Sequence, residues 1–288
     1  MKKLWNINDE LEFLKSAMQI TTLEKLTVNI NGSNMTFAPS SYRGNVSVPQ
    51  SRNALIGNFT EKWCCEFFSD IARENGLYAV SGVKCEELGL QSSSSADLAF
   101  CRKPGIEQYA EDIALIFEIK MGLVNNYKYN EQSRAFEFIG HYNEHKGIPS
   151  LLRSDSMLKA IGKSVNIRMS SKLGREIPII ILGNSPIGSS YINKVDNLSV
   201  GGMIQQFISL YSDCGCCTAI KNSPKFGFKT YESYKEISEY ISSILKDRRY
   251  FFSAMMSDRD LGRILEIANK EETHELKGQK FMDLINMI

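Results

Sequence analysis

The segment "ADLAFCRKPGIEQYAEDIALIFEIK", residues 96 to 120, decides how the centre of this chain folds. It consists of two short apolar runs, 96–101 and 113–120, joined by a polar stretch. Apolar runs of this length, separated by polar residues, are typical of neighbouring β-strands. We therefore predict an antiparallel pair in which the first strand begins beside the end of the second. Asp97 would then lie close to Glu118 and Lys120, because these residues occupy the strand ends that meet.

The two polar residues of the second run share one face of the predicted strand. Glu118 and Lys120 are two positions apart, whereas Ile119 points to the opposite face. Two carboxylates brought together repel each other, and one takes up a proton unless a cation lies between them. Carboxylate oxygens suit Mg²⁺, which commonly uses one or two carboxylates together with waters and phosphate oxygens. Since a nearby lysine can stabilise charge on a phosphate, the pattern predicts phosphodiester hydrolysis.

Helical and strand patterns alternate along the rest of the chain. We predict helices over 8–19, 58–75, 131–146 and 154–164, in "GGMIQQFISLYS", and over a long stretch from residue 233. We predict strands in "LYAVSGVKCEEL", "EIPIIILGN" and "FGFKTY". This order predicts an α/β fold with a mixed central β-sheet flanked by helices, and with additional N- and C-terminal helical elements. No linker divides the chain, so we expect one domain over residues 1–288.

Composition limits the class of protein. With 288 residues, of which 43% are hydrophobic, the chain can bury a sizeable core. It has no apolar run of the roughly 20 residues that a membrane helix needs, and its first residues lack the apolar stretch of a signal peptide. We therefore expect a cytoplasmic protein with no membrane contact. Seven cysteines, an odd number, are then expected to be free thiols.

An Asp at the start of one strand, Glu-x-Lys at the end of the next, and a preceding helix that carries a Glu resemble the PD-(D/E)XK nuclease superfamily. The resemblance is closest to the type II restriction endonucleases and covers about residues 55–183. Ala96 stands where the family's motif has proline. The resemblance implies the following site residues: Asp97, Glu118 and the Ile119 carbonyl as Mg²⁺ ligands, Lys120 as the catalytic lysine, and Glu61 as a helix carboxylate that contacts metal through water.

The same resemblance implies a restriction-endonuclease-like core and a homodimer that cleaves double-stranded DNA. Apolar helical faces in residues 232–288 could pack on a second subunit or back on the core. Two alternatives remain open at this point. The chain could be a phage-defence or repair nuclease without sequence specificity, or a non-catalytic nucleic-acid-binding protein whose carboxylates are surface charges on an ordinary hairpin.

A basic stretch follows the hairpin. From Arg153 to Arg175 there are six basic residues and one acid, which predicts either a solvated face or a local patch for a polyanion, since the net charge of the chain is only +1. A mixed aromatic and basic segment, "NNYKYNEQSRAFEF", lies just after the hairpin. From these two regions we predict five residues as DNA contacts: Lys128, Arg134, Lys159, Lys163 and Arg168.

Three further patterns are weaker. "MLKAIGKS" ends like a phosphate-binding loop but lacks the earlier glycine that such a loop requires. His141 and His145 are spaced by four residues on a predicted helix, which favours an exposed pair over a zinc site. Cys214, Cys216 and Cys217 could bind a soft metal, but no second pair of ligands follows, so free thiols are favoured.

Overall fold

The structure, a computed structural model, describes residues 2–212, 219–246, 251 and 256–287. Its centre is a six-stranded sheet in the order β10-β9-β8-β5-β4-β3. These strands are β3 (Tyr78–Val83), β4 (Ala96–Cys101), β5 (Ile113–Ile119), β8 (Ile179–Gly183), β9 (Gln206–Ser209) and β10 (Phe228–Thr230). Strands β3, β4 and β5 are antiparallel, whereas β5, β8, β9 and β10 are parallel. The mixed sheet confirms the predicted α/β fold.

Helices cover both faces of this sheet. The helices of the described residues are α1 (Ile7–Ala17), α2 (Gln50–Glu74), α3 (Ser154–Ser170), α4 (Ile192–Val200), α5 (Tyr234–Lys246), α6 (Asp258–Ala268) and α7 (His274–Asn286). On one face Phe68 of α2 packs against Phe100 and Phe117. On the other face α3 packs through Met157 and Ala160 against a separate apolar cluster. The predicted terminal helices are present, and no helix of the described residues is both long and apolar enough to span a bilayer.

A second sheet of four strands shows that the helix predicted over 131–146 is wrong. Its order is β1-β2-β6-β7, with β1 at Val28–Ile30, β2 at Ser33–Met35, β6 at Asn126–Asn130 and β7 at Ala135–Gly140. The Asn130 side chain accepts the N–H groups of residues 132 and 133 and so forms a turn, in which Arg134 has a φ of 51°. The aromatic residues then pair across the two strands, Tyr127 with Phe138 and Tyr129 with Phe136.

The segment "GGMIQQFISLYS" forms strand β9, so the helix predicted there is also wrong. All four residues of β9 are buried, because the strand lies between β8 and β10 and is covered on both faces. Gln206 is accommodated there because its amide donates to the Phe226 carbonyl and accepts from the Tyr231 hydroxyl, each at 2.8 Å. The chain forms its helix earlier, in α4.

The cysteine predictions are tested only in part. Cys64, Cys65, Cys85 and Cys101 are free thiols, as expected. Cys214, Cys216 and Cys217 lie outside the described residues. His145 is buried in irregular structure, where its ring stacks on Phe37 and Nε2 bonds the Val124 carbonyl at 2.9 Å. The expected exposed histidine pair on a helix is therefore wrong, because this segment is not helical and His145 is packed inside.

Candidate active site

The hairpin predicted from residues 96–120 is present, and its backbone ladder ends where the polar residues begin. The ladder runs from the pair Cys101 and Ile113 to the pair Leu98 and Phe117. One residue further, the Asp97 side chain replaces the backbone as partner, because Oδ2 accepts the Ile119 N–H at 2.7 Å. The strand ends therefore meet as predicted, and Asp97 lies beside Glu118 and Lys120.

Four charged side chains form the centre of the site, and we call them the ion quartet: Asp97, Glu118, Lys120 and Lys163. The Lys120 ammonium lies 2.6 Å from Glu118 Oε1 and 3.5 Å from Asp97 Oδ2. The Lys163 ammonium lies 2.5 Å from Glu118 Oε2 and 3.3 Å from Asp97 Oδ1. Each lysine therefore bridges both carboxylates. The four side chains are only 7–20% exposed, so water screens these charges weakly.

Lys163 reaches the site because α3 packs on the sheet face to which Asp97 and Glu118 point. Its ammonium also donates to the Ser95 carbonyl at 2.6 Å, which holds it over the hairpin end. Sequence spacing placed Lys163 on a DNA-facing helix surface, whereas the structure makes it a partner of the two carboxylates. The segment "IGKS" is part of the continuous helix α3, so it does not form a phosphate-binding loop.

The two carboxylates are unequally satisfied. Glu118 Oε1 accepts a hydrogen bond from Lys120, but Oε2 is buried and accepts no hydrogen bond from the described residues. Its contact with Lys163 is therefore an ion pair without hydrogen-bond alignment. Burial raises the pKa of Glu118, and the charge of Asp97 raises it further, while both lysines oppose this shift. The partners of Glu118 thus stabilise its charged form by charge more than by directed hydrogen bonds.

Lys120 stays protonated in this setting. Burial alone lowers its pKa, but the charges of Asp97 and Glu118 outweigh burial, so the pKa lies above the usual value. Glu61 approaches from α2, and its pKa is raised by burial and then by the charge of Asp97. The predicted helix carboxylate is therefore within electrostatic range of the quartet.

The backbone that carries Lys120 is fixed by residues that the sequence did not single out. The Lys120 N–H donates to the Leu182 carbonyl at 2.7 Å, and the Ser150 hydroxyl donates to the Lys120 carbonyl at 2.5 Å. Asn184 bonds both the N–H and the carbonyl of Gly122, at 3.0 and 2.7 Å. The sequence could have indicated Asn184 by its position directly after the buried strand β8, since the ends of parallel strands meet at one edge of a sheet.

The donor atoms at the quartet fit Mg²⁺. Among the described residues, no three His, Cys, Asp or Glu side chains are grouped so as to hold a metal ion. The ligands available are therefore the carboxylates of Asp97 and Glu118 and the carbonyl of Ile119. All are hard oxygen donors, and Mg²⁺ needs only one or two carboxylates because it keeps several waters.

The predicted DNA contacts separate into three kinds. Arg168 is only 1% exposed, and its guanidinium donates to the carbonyls of Met203, Gly174 and Ile177 and to the Gln205 side chain. A DNA contact by Arg168 is therefore wrong, because its guanidinium is buried and each of its three nitrogens already donates to an acceptor of the protein. Lys163 belongs to the quartet. Lys159 and Arg134 are exposed and Lys128 is half-buried, and their contacts with DNA stay predictions.

Comparison with protein families, with curated proteins and with solved structures finds no match for this chain. The resemblance to the PD-(D/E)XK nucleases therefore stays a prediction from the residues that carry it. Function has to be inferred from the geometry of the ion quartet and its surroundings.

Proposed function

We propose that this chain is a Mg²⁺-dependent endonuclease that hydrolyses phosphodiester bonds of DNA at the ion quartet. The observation that carries the proposal is the meeting of two carboxylates and two lysines, supplied by β4, β5, the residue after β5, and α3. Asp97, Glu118 and the Ile119 carbonyl would hold the metal. When bound, Mg²⁺ would polarise a phosphoryl oxygen and lower the pKa of a coordinated water.

The lysines supply the remaining chemistry. Lys120 and Lys163 are long, charged side chains held at the carboxylates, and each can turn its ammonium to the oxygen atoms of an incoming phosphate. There they would stabilise the negative charge that develops during hydrolysis, in a site where low exposure strengthens the interaction. Glu61 would hold a water molecule at the edge of the site.

The resemblance extends the proposal to a type II restriction enzyme that cuts double-stranded DNA as a homodimer in the cytoplasm. About 160 residues lie outside the region 55–183 and are available for sequence recognition and assembly. The last two helices expose Leu265 and Leu276, each about half accessible, which supports a contact with a second copy. A nuclease of the same chemistry without sequence specificity is the alternative.

Digestion of phage DNA with Mg²⁺ tests the proposal. Wild-type protein is expected to cut, whereas Asp97→Asn and Lys120→Met should lose at least about 100-fold in rate, the scale typical of removing one group that stabilises the transition state. Lys235→Met, at an exposed lysine of α5 that is not a predicted DNA contact, is the matched control, and thermal unfolding checks that each variant is folded. Discrete bands support the restriction enzyme, and a smear supports the non-specific nuclease. If wild type does not cut, or if both site variants cut as fast as wild type, the proposal is wrong.

A further inference from the structure

A cavity of about 500 Å³ opens beside Lys120, between the first turns of α2 and α3 and the segments that follow β5 and precede α3. Its volume lies within the range of roughly 300–1,000 Å³ that is typical of ligand sites. Among the described residues, four basic side chains line it, namely Arg52, Lys120, Lys146 and Arg153, and no Asp or Glu does. Lys120 and Arg153 are paired with acids outside the lining, whereas Arg52 and Lys146 form no ion pair within the described residues, so the lining keeps a net positive charge.

Arg52 is the central observation. Its side chain is 1% exposed, Nη1 donates to the carbonyls of Leu26 and Thr36, and Nη2 has no hydrogen-bond partner among the described residues. Burial lowers the pKa of Arg52 to about 9, so the guanidinium remains charged at neutral pH. A buried guanidinium is usually paired with a carboxylate, but the ion pairs of the described chain include none with Arg52. Its charge is thus left for a ligand to neutralise.

Two helix N-termini face the same space. Helix α2, of 25 residues, begins after Pro49 with no side-chain cap and no acid in its first turn, and Gln50 and Asn53 of that turn line the cavity. Helix α3, of 17 residues, also begins without a side-chain cap, and Ser156 of its first turn lines the cavity. Its one first-turn acid, Asp155, is paired with Arg153 at 2.8 Å. Helix N-termini attract anions through their free N–H groups and partial positive charge.

Part of the wall is apolar. Phe37, Ile56 and Ile148 line the cavity, and Phe37 lies against the Arg52 guanidinium at 4.3 Å. Such a surface suits a sugar or a base beside the charged group. We propose that this cavity is a phosphate subsite, which holds the phosphate of a nucleotide next to the one that is hydrolysed. The identity of the ligand as nucleic acid rests on the proposed function, whereas binding of phosphate does not.

Calorimetric titration in EDTA, where no cleavage occurs, tests the subsite. The probes are inorganic phosphate and trithymidylate with and without a 5′-phosphate. We expect wild type to bind the phosphorylated trinucleotide, and Lys146→Ala/Arg153→Ala to bind it at least about tenfold more weakly, because two charged donors are lost. Lys235→Ala, an exposed lysine of α5 outside the cavity lining, should bind as wild type does. If only the phosphorylated form binds, the subsite takes a terminal phosphate; equal binding of both forms indicates an internal diester.

Arg52→Met removes the buried cation and should weaken binding of the phosphorylated trinucleotide. If Arg52→Met does not fold, the double variant Lys146→Ala/Arg153→Ala still tests the subsite. Absence of binding by all three probes, or equal binding by wild type and the double variant, would overturn the proposal. Failure of the subsite is distinguishable from failure of the proposed function. If the protein cleaves DNA but does not bind phosphate, the subsite proposal is wrong and the nuclease proposal stands. If it binds phosphate but does not cleave DNA in Mg²⁺, the nuclease proposal is wrong and the subsite proposal stands.

Discussion

Glu10 and Glu118 are both buried carboxylates, but their partners differ in kind. Glu10 of α1 accepts from the N–H groups of Val124 and Asn125, the Asn125 amide and the Tyr127 hydroxyl, at 2.6–3.2 Å. All four donors are neutral, and all are held by the backbone or by packed side chains. Glu118 of β5 is contacted instead by the ammonium groups of Lys120 and Lys163, and its Oε2 accepts no hydrogen bond among the described residues.

The difference separates a structural carboxylate from one suited to chemistry. The donors around Glu10 are held in place by the backbone and by packing. Glu10 therefore links α1 to residues 124–127, which include the start of β6. The lysines beside Glu118 have flexible stems and can exchange a carboxylate for a phosphate without moving the backbone. Burial raises the pKa of both groups, so burial alone does not distinguish them. The mobility of the partner is what distinguishes the two sites.

Alanine at each position gives the largest expected contrast. Glu10→Ala leaves four buried donors without an acceptor, and we expect it to lower the free energy of unfolding by about 3 kcal/mol or more. Glu118→Ala leaves both lysines paired with Asp97 and removes the cost of burying one carboxylate, so we expect a smaller loss than for Glu10→Ala. Urea unfolding of the two variants and wild type measures both values. Equal losses of stability would show that the ion quartet is a structural element and would contradict the contrast.

A second comparison concerns two lysines one helical turn apart on α3. We expect Lys163→Met to lower the rate of DNA cleavage by about 100-fold, because it removes one of the two cations that would stabilise the phosphate. Lys159→Met should change the rate by less than about fivefold, since an exposed ionic contact is worth about 0–1 kcal/mol. Single-turnover cleavage measures both. A similar loss in both variants would indicate that the two lysines only contact the DNA backbone, as their sequence spacing alone predicts.

The smallest expected effect is a pH dependence from Glu10. Burial raises its pKa from 4.5 to about 6, while bonds from Tyr127, Val124 and Asn125 partly oppose this. The folded state therefore holds the proton more tightly, so this contribution is complete below pH 4.5 and is lost as the pH rises through 6. A shift of this size corresponds to about 2 kcal/mol. The stability lost in Glu10→Ala should thus be larger at pH 4.5 than at pH 7, and a loss independent of pH would refute the raised pKa.

The hairpin and its polar residues could be predicted because strand periodicity is local. Two apolar runs fix which strands pair, and the two-residue period places Glu118 and Lys120 together. Lys163 could not be placed at the site in this way, because its position depends on how α3 packs on the sheet. The spacing of Lys163 from Lys159 indicates that the two share a helix face. It does not indicate that Lys163 is covered and Lys159 exposed.

Two wrong predictions have related physical causes. Residues 131–146 include helix-forming residues, but they follow a turn formed by Asn130. The alternating aromatic residues that pair across β6 and β7 could have indicated strands instead of a helix. In β9, a buried glutamine produced an amphipathic pattern, although its amide is bonded inside the sheet. Arg168 shows the same effect, since backbone carbonyls of distant segments allow a charged residue to be buried.

The end of the β4–β5 ladder also limits where the chain can gain or lose residues. Residues 102–112 connect the strands at the opposite end of the ladder, so a change of length there leaves Leu98 opposite Phe117 and Asp97 at the Ile119 N–H. One residue inserted between Asp97 and Leu98 would instead move Asp97 one position further from Ile119, so that its Oδ2 would no longer meet the Ile119 N–H. A change of length at one end of this hairpin thus leaves the site residues in register, whereas a change at the other end separates them.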